Sequence, residues 1–255
     1  MWDPDLYGRF ADQRSRPFHE LVARIGAASP TTVVDLGCGD GSLTATLADR
    51  WPAASLLGVD SSEQMLASAA ARRSDRLSFV LARIEDWRPA EPVDVIVSNA
   101  ALQWVPQHVS LLPRFVSALA PGGWLAMQVP GNFEAPSHAL LRTLCNSPRW
   151  SERVGTAGRW PSVLSPSEYL RELAELGCAV DAWETTYAQV LQGEDPVLSW
   201  MRGTALRPVY ARLSAEEAAE FDAELGRMLR EAYPPQPYGT VLPFRRIFAV
   251  AQVAP

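Results

Sequence analysis

Two carboxylates and a run of spaced glycines decide what chemistry this chain can do. They are Asp35, the turn Gly37-Cys38-Gly39-Asp40-Gly41, and later Asp60 with Ser61 beside it. Glycine at alternate positions lets a backbone turn sharply and lie close to a bound molecule. Ser42-Leu43-Thr44 then opens a helix whose free N–H groups point into the same space. A carboxylate at the end of the next strand accepts two hydrogen bonds from vicinal ribose hydroxyls, which is the role expected of Asp60. Asp35 narrows the nucleotide, because negative charge just ahead of the first glycine repels a pyrophosphate and suits a cation. The third glycine stands at 41, so the spacing is G-x-G-x-G and not the G-x-G-x-x-G of dinucleotide sites.

Such residues work only if strands and helices bring them together. The chain has 255 residues, 47% of them hydrophobic, which suits one large domain over 1–255 with a substantial core. Phe18, Leu21, Val22 and Ile25 recur at helical spacing and predict a capping helix within 1–28, with Pro17 in its first turn. Strand and helix then alternate: Thr32–Leu36, a helix Ser42–Arg50, Ser55–Val59, a helix Ser62–Arg72, Leu77–Ala82, Val93–Ser98, a helix near Val109–Leu119, and Gly123–Val129. Alternation of this kind predicts a parallel sheet covered on both faces. Cys178–Leu191 and Phe244–Val253 read as two late strands, so the core sheet spans 32–130, 178–191 and 244–253. Segments 131–176 and 193–242 carry helical patterns and prolines, with Ser214 a natural N-cap for Ala215–Tyr233. They read as a helical lid over the carboxyl ends of the strands, where open α/β sheets bind ligands.

The acidic residue and glycine spacing around Asp35 resemble the first motif of the class I S-adenosylmethionine-dependent methyltransferases. That cofactor carries an ammonium and a sulfonium and no phosphate. The resemblance implies an α/β, Rossmann-like fold with a seven-stranded, mostly parallel sheet and helical lid insertions. It also assigns further cofactor contacts. Met65 and Ile84 would flank adenine, although a methionine at helical spacing equally suits the core. Arg83 stands where relatives place an aspartate for the adenine amino group, and arginine accepts no hydrogen bond. Glu85, Asp86 or a backbone carbonyl would then serve, unless the three charges are simply a solvated run. Asn99 and Ala100 leave room for carbonyls to approach the methionine ammonium, and Arg14 is implied to close over that end of the cofactor.

Several stretches are similar to the trans-aconitate 2-methyltransferases: Met1–Tyr7, Gln13–Pro17, Asn99–Trp104, Gln128–Phe133, Trp183–Tyr187 and Phe244–Phe248. That resemblance implies esterification of one carboxylate of a small polycarboxylate, with S-adenosylhomocysteine as the other product. A carboxylate is ionised at neutral pH and needs no general base, so no catalytic side chain is expected. The formal net charge is −6, so a polyanion requires a local cationic pocket. Candidate acceptor contacts are Tyr7, Gln103, Trp104, Asn132, His138, Arg207 and Arg245. Arg245 and Arg246 fall on opposite faces of a strand, so at most one faces inward, and Arg246 reads as the more solvated.

Other classes stay open on the residues alone: an O- or N-methyltransferase of a larger metabolite, a cofactor-binding module without turnover, or a nicotinamide-dependent oxidoreductase. The acidic balance argues against a nucleic-acid surface. Cys38, Cys145 and Cys178 lack metal-ligand spacing and read as reduced thiols, and His19, His108 and His138 are scattered, so no metal site is expected. The amino terminus has no basic, apolar leader and no stretch reaches membrane-spanning length. A cytoplasmic enzyme of small molecules is the resulting expectation, and a monomer is compatible with it.

Overall fold

The computed structural model describes residues 11–158 and 163–255. Its strands are β1 (Thr32–Leu36), β2 (Ser55–Asp60), β3 (Leu77–Leu81), β4 (Val93–Asn99), β5 (Leu119–Pro130), β6 (Ala179–Leu191) and β7 (Thr240–Gln252). They form one seven-stranded sheet in the order β3-β2-β1-β4-β5-β7-β6. Neighbours among β1–β5 pair in parallel, and β7 runs antiparallel to both β5 and β6. Apolar runs such as Val33-Val34 and Val95-Ile96-Val97 are buried throughout, as central parallel strands covered on both faces must be. At their amino ends, Asp94 Oδ2 ties β4 to β1 by accepting the N–H and hydroxyl of both Thr31 and Thr32, at 2.7–3.2 Å. Burial alone would raise this carboxyl's pKa, but those hydrogen bonds outweigh it and hold it below the usual range.

The helices are α1 (Ala11–Ala23), α2 (Ser42–Arg50), α3 (Glu63–Ala69), α4 (Leu112–Ser117), α5 (Pro136–Cys145), α6 (Ser151–Val154), α7 (Pro166–Glu175), α8 (Pro196–Arg202), α9 (Arg207–Tyr210) and α10 (Ala215–Ala232). One face of the sheet is covered by Phe18, Leu21 and Val22 of α1, Leu47 of α2 and Ala69 of α3. The other lies under Leu112 and Phe115 of α4 and Tyr169 and Leu173 of α7. Two expectations need correcting. Pro17 lies inside α1, forfeiting one backbone hydrogen bond; the stripe that follows it is buried on the sheet and holds the segment. Segment 166–175, assigned by sequence to the first insertion, covers the sheet, because Tyr169 and Leu173 share one helix face and both are fully buried.

Ser214 caps α10 as expected, in a reciprocal capping box with Glu217. A third apolar cluster joins α5, α6, α8, α9 and α10 through Leu141, Trp150, Trp200, Leu206, Phe221 and Leu225. It rests on an overhang of the antiparallel β6–β7 pair. β5 ends at Pro130, opposite Arg246, whereas β6 and β7 continue pairing to Leu191 and Thr240. Leu191 and Leu242 on that overhang enter the cluster, so these helices stand beyond the carboxyl end of the parallel strands.

The connection after β4 is tied to α7 by a buried hydrogen bond, His108 Nε2 to the Tyr169 hydroxyl at 2.6 Å. Burial also lowers the His108 pKa, favouring the neutral ring. Tyr169→Phe strands one imidazole nitrogen in the core, and urea unfolding is expected to show a loss of about 1–3 kcal/mol. An unchanged midpoint and slope would mean that this tie contributes nothing.

Candidate cofactor and acceptor site

The order of the sheet reverses between β1 and β4, since the chain leaves β1 toward β2 and returns to the other side for β4. A crevice opens at such a switch point, outside the carboxyl ends of the strands. The turn after β1 meets the turn after β4 there. A Cβ on Gly37, at φ +84°, would sit 2.2 Å from the Ala101 Cβ. Gly39, at φ +57°, has open space where a side chain would stand, so its backbone faces the crevice bare. Its N–H donates to Asp60 Oδ2 at 2.9 Å, while Asp60 Oδ1 accepts the Ser62 N–H at 2.9 Å. Ser62 caps α3 by accepting from the Met65 N–H at 3.3 Å, which sets Met65 one turn into that helix beside the exposed Ser61. Asp60 is thus the joint between the glycine turn and the helix that follows.

Asp35 lies beneath the turn, 4% exposed, with its Oδ2 accepting the Thr44 hydroxyl at 2.5 Å. Burial pushes its carboxyl up to about 6; the Thr44 bond opposes this and the nearby Asp60 charge adds to it. Burial likewise raises the Cys38 thiol far above its ordinary value, which favours the protonated thiol. Across the crevice, Asn99 Oδ1 is buried without a hydrogen-bond partner among the described residues. Ala100, at φ +54°, has its carbonyl occupied by Gln103 Nε2 at 2.6 Å, which leaves Gln103 Oε1 as a second buried acceptor without a partner there. The Ala100 carbonyl keeps a second lone pair, and the two side-chain amides add acceptors to it. Two lone acceptors beside a buried carboxylate suit a ligand rich in donors and positive charge. S-adenosylmethionine, with its ammonium, ribose hydroxyls and sulfonium, fits that set.

Ile84 is buried against the glycine turn, with its Cδ1 3.6 Å from where a Gly37 Cβ would lie. Arg83 points to solvent and binds Glu85 Oε1 at 2.6 Å, with Asp86 Oδ2 at 3.8 Å. That bond, ahead of smaller effects, lowers the Glu85 pKa, so Glu85 and Asp86 answer Arg83 in this arrangement.

The acceptor candidates separate. Trp104 stands 50% exposed beside the crevice. Asn132 spends both ends of its amide on the backbone of one residue, Oδ1 accepting the Arg245 N–H at 2.7 Å and Nδ2 donating to the Arg245 carbonyl at 3.0 Å. It joins β5 to β7 as one more rung of the ladder. Arg245 itself is paired with Glu184, through Nε at 3.0 Å and through Nη2. His138 lies edge-on to Phe133 with Nδ1 3.3 Å from the Ser137 hydroxyl, and burial, helped by the Arg142 charge, pushes its pKa down to about 4. It is neutral at pH 7. Arg207 opens α9, half-buried. Tyr7 and the side chain of Arg14 lie outside the described residues.

Arg246, expected to be the more solvated of its pair, is only 5% exposed because β7 is covered on both faces, and Gln128, which the sequence did not single out, is fully buried. Arg246 Nη1 donates to Gln128 Oε1 at 3.4 Å. Two-residue periodicity sets Asp35, Asn99, Gln128 and Arg246 on the face covered by α1, one from each of β1, β4, β5 and β7; Asn99 and Gln128 pair directly, while Asp35 pairs with Val97 and Arg246 with Pro130, so the four run diagonally across the sheet.

A family model described as "Methyltransferase domain" matches residues 33–123, the stretch holding the glycine turn, Asp60 and Asn99. Fold and site together define a class I, S-adenosylmethionine-dependent methyltransferase. A trans-aconitate 2-methyltransferase of Streptomyces avermitilis is 52% identical over 98% of this chain and 96% of its own length. Another, of Rhodococcus jostii, is 53% identical over 99% of this chain and 100% of its own. The chain belongs to the trans-aconitate 2-methyltransferase family. The fold also resembles that of a structure titled as a complex between the Haloferax volcanii Trm112 methyltransferase activator and a methyltransferase. There the TM-score is 0.58 at 20% identity, covering 99% of this chain and 95% of that one. Among the described residues no helix is long and apolar enough to cross a membrane.

Proposed function

We propose that this chain esterifies a carboxylate of trans-aconitate, or of a closely related small polycarboxylate, with the methyl group of S-adenosylmethionine. The observation that carries this reading is identity of about half, extending through the helical segments as well as the sheet, to relatives bearing that activity in their names. The buried polar diagonal at the carboxyl end of the sheet supports it. Bound there, S-adenosylmethionine supplies a methyl group made electrophilic by its sulfonium.

The protein's work is binding and orientation. Asp60, Gly39 and Ser61 would hold the ribose, with Gly37 and Gly41 shaping the turn and Met65 and Ile84 as apolar walls for the adenine. Asp35 and Asn99 would receive the ammonium. The acceptor oxygen is ionised at pH 7, so no residue has to remove a proton. Holding it in line can supply about 7–11 kcal/mol of the barrier. The helices on the β6–β7 overhang, with α1 across the face, would act as the lid that keeps water out, and Tyr7, Arg14, Gln103, Trp104 and Arg207 remain candidates for its inner wall. Cys38, Cys145 and Cys178 are buried free thiols, which suits a reducing cytoplasm.

Purified protein, S-adenosylmethionine and a panel of di- and tricarboxylates test the reading by mass spectrometry. A monomethyl ester of a tricarboxylate, with stoichiometric S-adenosylhomocysteine, is the expected result. No ester from any member of the panel would overturn it.

A further inference from the structure

We propose that Arg114 is a positioning residue for the adenine of the cofactor: it touches no ligand itself and acts by fixing the turn that carries Ile84. The inference deepens the assignment of Ile84 as an adenine wall and rests on it. Its origin is a crossover without a helix. Residues 82–92 join β3 to β4, which lie on either side of β2 and β1, and no helix forms along that stretch. A parallel crossover ordinarily satisfies its backbone groups within a helix, so this one must find partners elsewhere. The turn closes on the Arg83 carbonyl, which accepts the Asp86 and Trp87 N–H groups at 3.0 Å each. Other carbonyls of the turn are held by arginines. Arg114 Nη2, on α4, donates to the Ile84 carbonyl at 2.9 Å, and Arg88 Nη1 donates to those of Glu85 and Trp87 at 2.9 and 2.8 Å.

Arg88 belongs to the crossover itself, whereas Arg114 reaches the turn from a helix 30 residues further along the chain. Its guanidinium is drawn inward. Nε is buried without a hydrogen-bond partner among the described residues, and burial, with the Arg88 charge adding to it, lowers the Arg114 pKa. The charge-assisted bond to the Ile84 carbonyl offsets that cost, and the buried Phe115 ring, its centre 5.5 Å from the guanidinium, packs against the arm. Arg83, by contrast, binds Glu85 within the turn and ties it to nothing beyond. On the inner side, Ile84 is 8% exposed, with its Cδ1 3.6 Å from where a Gly37 Cβ would lie. α4, the Ile84 turn and the glycine turn therefore form one chain of contacts. A shift at the Ile84 carbonyl moves the side chain that would meet the base.

The test is a double-mutant cycle on S-adenosylhomocysteine affinity, measured by calorimetry with the full chain. Arg114→Met keeps an unbranched arm and removes every donor, and is expected to weaken binding by about tenfold. Ile84→Ala removes the wall and is expected to cost about as much. Because Arg114 acts through Ile84, the double variant should bind within about twofold of Ile84→Ala alone, whereas independent losses would multiply to about 100-fold. A merely structural arginine gives the second result. Arg114→Lys keeps the charge and a donor on a shorter arm, should bind about threefold more weakly than wild type, and carries the same cycle if methionine is not tolerated. Multiplied losses overturn the inference, as does wild-type affinity in Arg114→Met. If Ile84→Ala binds as tightly as wild type, the adenine wall falls and the role of Arg114 with it. If Ile84→Ala binds weakly and Arg114→Met does not, the wall stands and Arg114 has no part in it.

Discussion

Asp35→Asn is expected to stabilise the cofactor-free protein and, in the same molecule, to weaken S-adenosylmethionine binding by about 100-fold or more. Both effects come from one buried carboxyl whose pKa rises from an ordinary 3.8 to about 6 on folding. Between those values the folded protein keeps a proton that the unfolded chain has released, so stability falls as pH rises through this window. Above pH 6 the whole penalty is in place, about 3 kcal/mol at two pKa units. Asparagine removes it and still accepts from Thr44. Binding a cation lowers the pKa again, so cofactor binding should release a proton near pH 6 and tighten as pH rises toward 6. Thermal melts at pH 4.5 and 7.5, with calorimetry in buffers of different ionisation enthalpy, measure both halves. A variant that melts higher but binds the cofactor as tightly as wild type would show that Asp35 faces no cation.

The second large effect is expected at Asp60. Its two oxygens take the Gly39 and Ser62 N–H groups at 2.9 Å each, so the carboxylate shapes the glycine turn before any ribose arrives. Asp60→Ala removes two charge-assisted bonds, each worth about 1.5–3 kcal/mol, together with the ribose acceptor. Loss of S-adenosylhomocysteine affinity beyond about 100-fold is expected, with faster amide exchange at Gly39 and Ser62. Asp60→Asn keeps one acceptor oxygen and should bind between the two. If Asp60→Ala retained both cofactor affinity and turn protection, the assignment of Asp60 would be wrong.

Much of this architecture was legible locally. The glycine spacing, the strand-helix alternation and the capping box at Ser214 are short-range features, and each element formed within a few residues of its expected bounds. Elements whose place depends on distant partners were misjudged. Residues 166–175 fell within a segment read as helical lid, but no local pattern says which surface receives Tyr169 and Leu173. The arginine pair at 245–246 was harder still. β7 is covered on both faces, so Ile247, Ala249 and Ala251 in one parity and Phe248 and Val250 in the other are all buried. Alternation in such a strand separates Arg245 from Arg246 but does not say which one is buried. The Asn132 amide, close to the site in sequence, proved to be a backbone bridge for a strand more than a hundred residues away.

The sequence by itself determined the class of protein: a glycine turn after the first strand needs left-handed backbone that few other residues adopt, and alternating strands and helices build the parallel sheet around it. Only the tertiary structure decided which arginine of the 245–246 pair is buried. Burial and the partners of a guanidinium are properties of the assembled sheet, where Glu184 takes Arg245 and the interior keeps Arg246 beside Gln128.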